Sequence, residues 1–251
     1  MKASKKIVIL IPTYNEAETI CELIDKLAKY RNSGQYKFDL VVIDDNSPDK
    51  TGDIVEGMGL SWVRLLRRPK KDGLGAAYRA GFLKVLGESQ YSHVITMDAD
   101  GSHRVEDLPA LLMSMESSTS SKSLVIGTRW MPGGSVVNWP KYRQLLSKSG
   151  TRYAKFALGM NLNDLTGGFR IYSADLLNSF NFGDMHATGY CFQIEMAMAA
   201  DAAGAKATQI PITFVERSKG SSKMNGWIAL EAFIFTSKNG IKRLISNHNR
   251  R

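Results

Sequence analysis

The sequence predicts an α/β protein with a mostly parallel central sheet and helices on both faces. Two observations carry that expectation. Short apolar runs alternate with helical stretches through the first half of the chain. The runs are continuously apolar rather than alternating, which is how strands buried on both faces read. A third observation bears on function: polar and acidic clusters follow the strands directly, and in parallel sheets ligands bind beyond the strand C-termini.

Taken in order, residues 7–11 are an apolar strand, and 17–30 have helical spacing through Ile20, Leu23, Ile24 and Leu27. Residues 40–43 are the next strand. A turn with Asn46, Ser47, Pro48 and Asp49 and a short helix ending near Gly57 follow it. Strands at 62–66, 94–97 and 124–126 enclose helices at 73–86 and 108–115, and the Ser-rich stretch 114–123 reads as a surface loop. The second half is less regular. It reads as a helix at 143–158, a glycine pair leading into a short strand within 165–172, and a helix at 189–203. A strand at 207–215, a polar loop at 217–225 and one or two closing helices at 227–245 complete it. No repeat or linker interrupts the chain, so residues 1–251 are expected to form one domain. About 1–128 would serve as one half and about 129–251 as the other.

The chain has 33 Lys and Arg against 24 Asp and Glu, a formal charge of +9, which points to polyanionic partners. Cys21 and Cys191 are far apart and have no metal or redox spacing, so both are expected to be reduced. The apolar start is cut short by Pro12, with no small-residue cleavage site after it, so it does not read as a leader. No run of 18 apolar residues occurs, so no spanning segment is expected.

Chemistry concentrates at the strand ends. In HVITMDADGSH, Asp98 and Asp100 alternate across Ala99 and would point the same way in an extended strand. Two hard carboxylates there suit Mg²⁺ or Mn²⁺ holding phosphate oxygens. The competing reading is a pair of capping aspartates before the helix near Val105. Pro12, Tyr14, Asn15 and Glu16 follow the first strand. The aromatic suits a base or sugar, Glu16 suits ribose hydroxyls, and Asn15 reads as a helix cap. Asp44 and Asp45 follow the second strand, where a carboxylate can accept from a nucleobase edge or form a turn. Gly73 and Gly75 read better as a turn than as a phosphate loop. Among the basic residues, Arg143 and Ser147 are i, i+4 on one helix face.

Read in order, PTYNE, VVIDDNSPDKT, GLGAAYRAG, MDADGSH, GTR, DLTGGFRIY, GYCFQIEM and PITFVERSKGSSKM resemble the landmarks of the dolichyl-phosphate (polyprenyl-phosphate) mannose synthases of glycosyltransferase family 2. The resemblance covers nearly the whole chain and implies a GT-A fold. It also implies an inverting transfer of mannose from GDP-mannose to a polyprenyl or dolichyl monophosphate. A UDP-glucose-dependent polyprenyl-phosphate glucosyltransferase is the sibling alternative. A basic nucleic-acid binder ranks far lower, because the acidic strand tips would repel a phosphate backbone and no nucleic-acid motif appears.

The resemblance implies that Pro12, Tyr14, Glu16, Ile43 and Asp45 hold the guanosine part, with Asp98, Ala99 and Asp100 at the diphosphate and sugar. Gln193 and Lys223 would contact the donor side. Asp98, Asp100 and Ser102 would form the metal site, with Ser102 acting directly or through a water. Arg129, Arg143, Ser147 and Arg217 would grip the lipid phosphate, so that Asp100, Arg129 and Arg217 carry catalysis. Arg170 and Glu195 would pair to shape the pocket. The 217–225 loop would close over the donor. Trp227, Ile228, Leu230, Phe233, Ile234 and Phe235, followed by Lys238, Lys242 and Arg243, form either an interfacial helix on an anionic membrane or a helix buried on the sheet. The protein is then expected to be cytoplasmic and peripheral at the cytosolic membrane face, with a separate membrane-anchoring subunit as a plausible partner.

Overall fold

A computed structural model describes residues 6–216 and 226–248; the side chains of 190, 226–229 and 246–248 are outside the description. Among the described residues, a seven-stranded sheet has the order β3-β2-β1-β4-β7-β5-β8. The strands are β1 (Ile7–Thr13), β2 (Phe38–Asp44), β3 (Val63–Arg67), β4 (His93–Thr96), β5 (Ser123–Thr128), β7 (Arg170–Ser173) and β8 (Lys206–Pro211). A separate parallel pair joins β6 (Ser135–Val137) to β9 (Thr213–Val215). β1 pairs in parallel with both β2 and β4, and β5 with β8, whereas β7 runs antiparallel to β4 and β5. The chain leaves β1 for β2 on one side and returns to β4 on the other. The sheet order therefore reverses at β1, and the crevice beyond the β1 and β4 tips is the natural ligand position.

The apolar strands are explained by what covers them. On β1, Val8 and Leu10 face a cluster with Tyr78, Phe82, Tyr172 and Phe192, supplied partly by α3 (Leu74–Gly87) and α7 (Gly189–Ala202). Ile7, Ile9 and Ile11 face the opposite cluster, with Ile20, Leu23 and Ile24 of α1 (Ile20–Asn32) and Leu108, Leu111 and Leu112 of α4 (Leu108–Glu116). Successive side chains thus serve opposite layers, and each fully buried Leu or Phe contributes about 1.5–3 kcal/mol. The remaining helices are α2 (Thr51–Gly57), α5 (Lys141–Leu158), α6 (Ala174–Asn178) and α8 (Gly226–His248). α8 packs on α5 and α7 as one continuous helix.

Several sequence expectations need correction. The first helix begins at Ile20 rather than residue 17; residues 17–19 form a turn closed by the Thr19 and Ile20 N–H groups donating to Glu16 O, and the Ala17 N–H donates to Asp49 Oδ2 at 3.0 Å. Asn15 does not cap it; its φ is 58° and its N–H donates to Ser47 Oγ. The strand expected over 207–215 is two strands. β8 ends at Pro211, and Ile212 N donates to Thr128 O before β9 leaves the main sheet for β6. β4 stops at Thr96, so Asp98 and Asp100 lie on a loop, which turns at Gly101 with φ 74°.

Candidate active site

The β4 tip supplies the acidic wall. Asp98, Asp100, Ser102 and His103 line one pocket together with Arg129, Arg143, Ser147, Thr166 and Gly168. The loop is held from beneath. Thr96 Oγ1 donates to Gly168 O at 2.6 Å, and Asp98 N donates to His103 Nδ1 at 3.0 Å. His103 is buried, stacked on Phe169 and edge-on to Phe214. Ser102 turns its hydroxyl to Asp100 Oδ1 at 2.6 Å, and its N–H donates to the same oxygen at 3.0 Å. A Cβ at Gly168 would lie 3.4 Å from Asp98 Oδ1 and from Gln193 Nε2, so the glycine leaves the floor open where those side chains converge.

The basic wall faces it. Arg129 follows β5 directly, and its guanidinium is fixed by Asp164 and Thr166: Nε to Asp164 Oδ2 at 2.6 Å, Nη2 to Oδ1 at 2.8 Å and to Thr166 Oγ1 at 2.8 Å. Burial alone would raise the Asp164 carboxyl, but the charge and hydrogen bonds of Arg129 hold it below the usual range. Arg143, from the first turn of α5, donates to Glu216 Oε1 at 2.6 Å and sits 4.0 Å over the Trp139 ring. Ser147, one turn on, accepts from Trp130 Nε1 at 3.1 Å. Arg143 Nε and Trp139 Nε1 are buried without a hydrogen-bond partner among the described residues, two donors at a pocket that combines them with Arg129.

The tips of β1 and β2 end at the same edge of the sheet as β4, beside this pocket's acidic loop but not among the residues that line it. Tyr14 is half-buried, with Lys71 Nζ 4.0 Å over its ring. Glu16 accepts from Thr19 Oγ1, and its N–H donates to Thr51 Oγ1. Asp45 is buried against Arg68 at 2.5 Å; burial raises its carboxyl and Arg68 only partly offsets this. Asp44 is turned inward to Thr13 and Ser47 and holds the turn. Pro12 is half-buried and Ala99 buried at the adjacent tips. Ile43 has no exposed surface and lies under Gly81, so its side chain supports the site from the core rather than meeting a ligand. Gln193 is likewise buried.

Arg170 and Glu195 do not pair. Arg170 is fully buried and donates to the carbonyls of Gly167, Gln193 and Leu165, while Glu195 accepts from the N–H groups of His186 and Ala187. The glycine loop is structural. Gly73 has φ 85°, and a Cβ at Gly75 would strike the Ala187 carbonyl oxygen. Arg217 and Lys223, and the proposed closure of their loop, lie outside the described residues. Sequence reasoning missed His103, Asp164, Trp139, Phe214, Arg68 and Lys71. For His103 a signal existed in its place at the end of the DADGSH run.

Residues 8–180 match glycosyl transferase family 2. The chain belongs to that family. It is 40% identical over 238 residues to an undecaprenyl-phosphate mannosyltransferase of Micrococcus luteus, spanning 94% of each chain. It is 37% identical over 245 residues to a polyprenol monophosphomannose synthase of Mycolicibacterium smegmatis, spanning 96% of this chain and 89% of that one. In fold it resembles the glucosyl-3-phosphoglycerate synthase of Mycobacterium tuberculosis in complex with Mn²⁺, UDP-glucose and phosphoglyceric acid. There the TM-score is 0.67 at 19% identity, covering 95% of this chain and 81% of that one. The same synthase has been solved with Mg²⁺ and UDP, with a TM-score of 0.62 at 21% identity, covering 98% of this chain and 80% of that one. The expected GT-A glycosyltransferase architecture is therefore the one present.

The donor set fits a hard divalent cation. No group of three or more His, Cys, Asp or Glu side chains among the described residues is arranged to hold a metal. Asp98 and Asp100 offer two carboxylates beside open space, the arrangement Mg²⁺ uses when substrate phosphates and waters complete its shell. Next to this pocket an apolar groove runs between α5 and α8, lined by Leu146, Tyr153, Ala154, Ile194, Ala232 and Phe233; Ser147 and Thr166 line both.

Proposed function

We propose that this glycosyltransferase moves mannose from GDP-mannose to a polyprenyl (dolichyl) monophosphate, giving the β-mannosyl phosphate lipid. One observation carries the reading: carboxylate and guanidinium groups line a pocket that shares Ser147 and Thr166 with a neighbouring apolar groove. A charged head and an apolar tail on one acceptor fit that junction. The names of the Micrococcus and Mycolicibacterium relatives support the same acceptor and sugar.

The chemistry follows from the side chains. A phosphate monoester has a second pKa near ~6 and is largely dianionic at neutral pH, so the acceptor needs no strong base. Arg129 and Arg143, together with Arg217, which lies outside the described residues, hold its oxygens beside the donor. One phosphate oxygen forms a bond to the anomeric carbon as the bond to GDP breaks on the opposite face, which inverts the centre. Tyr14, Glu16 and Asp45 receive the nucleoside. Asp98 and Asp100 would hold Mg²⁺ or Mn²⁺, which offsets charge on the departing diphosphate.

No helix among the described residues is long and apolar enough to cross a membrane. Yet Tyr142, Leu145 and Phe156 on α5 and Phe233, Ile234, Ile241 and Leu244 on α8 are exposed. We read these neighbouring helices as the face that rests on the membrane carrying the acceptor.

The test is transfer from GDP-mannose or UDP-glucose to a short-chain polyprenyl phosphate, with the anomeric configuration read by NMR. GDP-mannose should give a β-linked product. Transfer only from UDP-glucose, or an α-linked product, would refute the reading.

A further inference from the structure

The second cleft beside α5 is not explained by sugar transfer. Gln144, Lys148, Arg152 and Lys155 line it from the helix, facing Trp130 on the loop after β5 and Asn163; Arg129, whose guanidinium is held by Asp164, lines both this cleft and the transfer pocket, whereas the three α5 cations line only this cleft. No carboxylate lines it, and none of its three α5 cations makes an ion pair with another described residue. Lys148 Nζ is 5.0 Å over the Trp130 ring, which anchors one cation at the wall. Buried Thr151 also lines the cleft, and its hydroxyl has no hydrogen-bond partner among the described residues.

The place of this cleft on the helix identifies its ligand. At about 100° per residue, Arg152 lies ~20° and Lys148 ~60° around the helix from Leu145. Leu145 and Phe156 are 66% and 85% exposed. A cationic stripe thus borders an exposed apolar stripe on the same helix, so a surface that takes the apolar residues into its acyl layer brings its headgroups to the cations. Arg143 and Ser147 face the transfer pocket from another side of α5.

We propose that this cleft binds the phosphate of an anionic phospholipid headgroup, separately from the acceptor phosphate, and so seats α5 on the membrane. The proposal rests on the membrane-resting reading of α5 and α8 above.

The test uses the full chain and compares vesicles of phosphatidylcholine with vesicles doped with phosphatidylglycerol, neither containing acceptor. Wild-type protein should partition to the doped vesicles. K148Q/R152Q/K155Q should lose about fivefold per charge, on the order of a hundredfold for three. A control with equal charge loss elsewhere, K26Q/K29Q/K206Q, should lose far less. Equal loss by the control would overturn the proposal, because net charge would then explain binding. Wild-type protein that binds inorganic phosphate through these three cations in solution, yet partitions equally to doped and undoped vesicles, would make this a free-phosphate site and overturn the headgroup assignment. Turnover of a water-soluble short-chain polyprenyl phosphate should be unchanged in the triple variant. Its loss would place the cleft in the acceptor site and overturn the proposal. Absence of that turnover in wild type would refute the transfer reading while the vesicle comparison still decides this one.

Discussion

The guanidinium of Arg129 and the carboxylate of Asp164 form a two-bond pair, at 2.6 and 2.8 Å, with side-chain exposures of 5% and 0%. Asp164 also accepts from the N–H groups of Thr166 and Gly167, so one carboxylate fixes both the arginine and the glycine turn beneath Asp98. Arg129→Ala would leave that carboxylate buried and uncompensated, at a cost of about 3–5 kcal/mol. Arg129→Met with Asp164→Asn removes both charges but keeps an acceptor for the Thr166 and Gly167 N–H groups, so it should recover part of the stability while transfer stays lost. Thermal melts and turnover of the two variants check this; recovered activity in the double variant would remove Arg129 from the reaction.

Asp164 also sets an acid limit. Its folded carboxyl is held below the usual range, whereas in the unfolded chain it is near ~3.9. The stabilisation is therefore present above the unfolded value and is lost as pH falls through the lower, folded one. Asp164→Asn should lower stability at neutral pH and flatten its decline below about pH 4. An unchanged acid limb in denaturant titrations would contradict the assignment.

The strands were legible because burial on both faces leaves an unbroken apolar run, as in β1 and β2. β6 was not, with three residues, two of them exposed; β9 was read as strand but as a continuation of β8, because the switch of partner at Ile212 leaves no mark in the local pattern. The direction of β7 is set by tertiary pairing with β4 and β5, which no local pattern encodes. At the site, acidic strand tips stood out because they recur after several strands, although Asp44 proves to hold the turn by bonding Thr13 and Ser47. Asp164 did not, because its partner is 35 residues away in sequence. The suggested Arg170–Glu195 pair failed for a related reason. A guanidinium buried among carbonyls satisfies its donors without any anion, and sequence does not show those carbonyls.

Arg143 donates to Glu216 at 2.6 Å, so a carboxylate of this chain holds the position we assign to the acceptor phosphate. The acceptor must displace it. The pair is partly exposed, with side-chain exposures of 12% and 29%, and a pair of that kind is worth about 0.2–1 kcal/mol. Glu216→Gln should lower KM for polyprenyl phosphate by up to about fivefold and leave KM for the nucleotide sugar unchanged. Arg143→Ala should raise the acceptor KM. If Glu216→Gln raises it instead, the carboxylate is part of the acceptor site.

His103 gives the sharpest test of how the acidic wall is positioned. Its Nδ1 accepts the Asp98 N–H, which assigns the ring proton to Nε2, 3.7 Å from Asp98 Oδ2. Both ring nitrogens thus address the same residue, while the ring itself is held between Phe169 and Phe214. His103→Phe keeps the aromatic packing and removes the acceptor, leaving the Asp98 N–H without this partner at a cost of about 1–3 kcal/mol. The loop then relaxes, and Asp98 no longer faces the donor diphosphate with a fixed oxygen. We expect weaker nucleotide-sugar binding and slower transfer, with the acceptor KM little changed and a folded protein by circular dichroism. Wild-type donor affinity in His103→Phe would show that Asp98 is placed by the Thr96–Gly168 bond alone and that the histidine only fills the core.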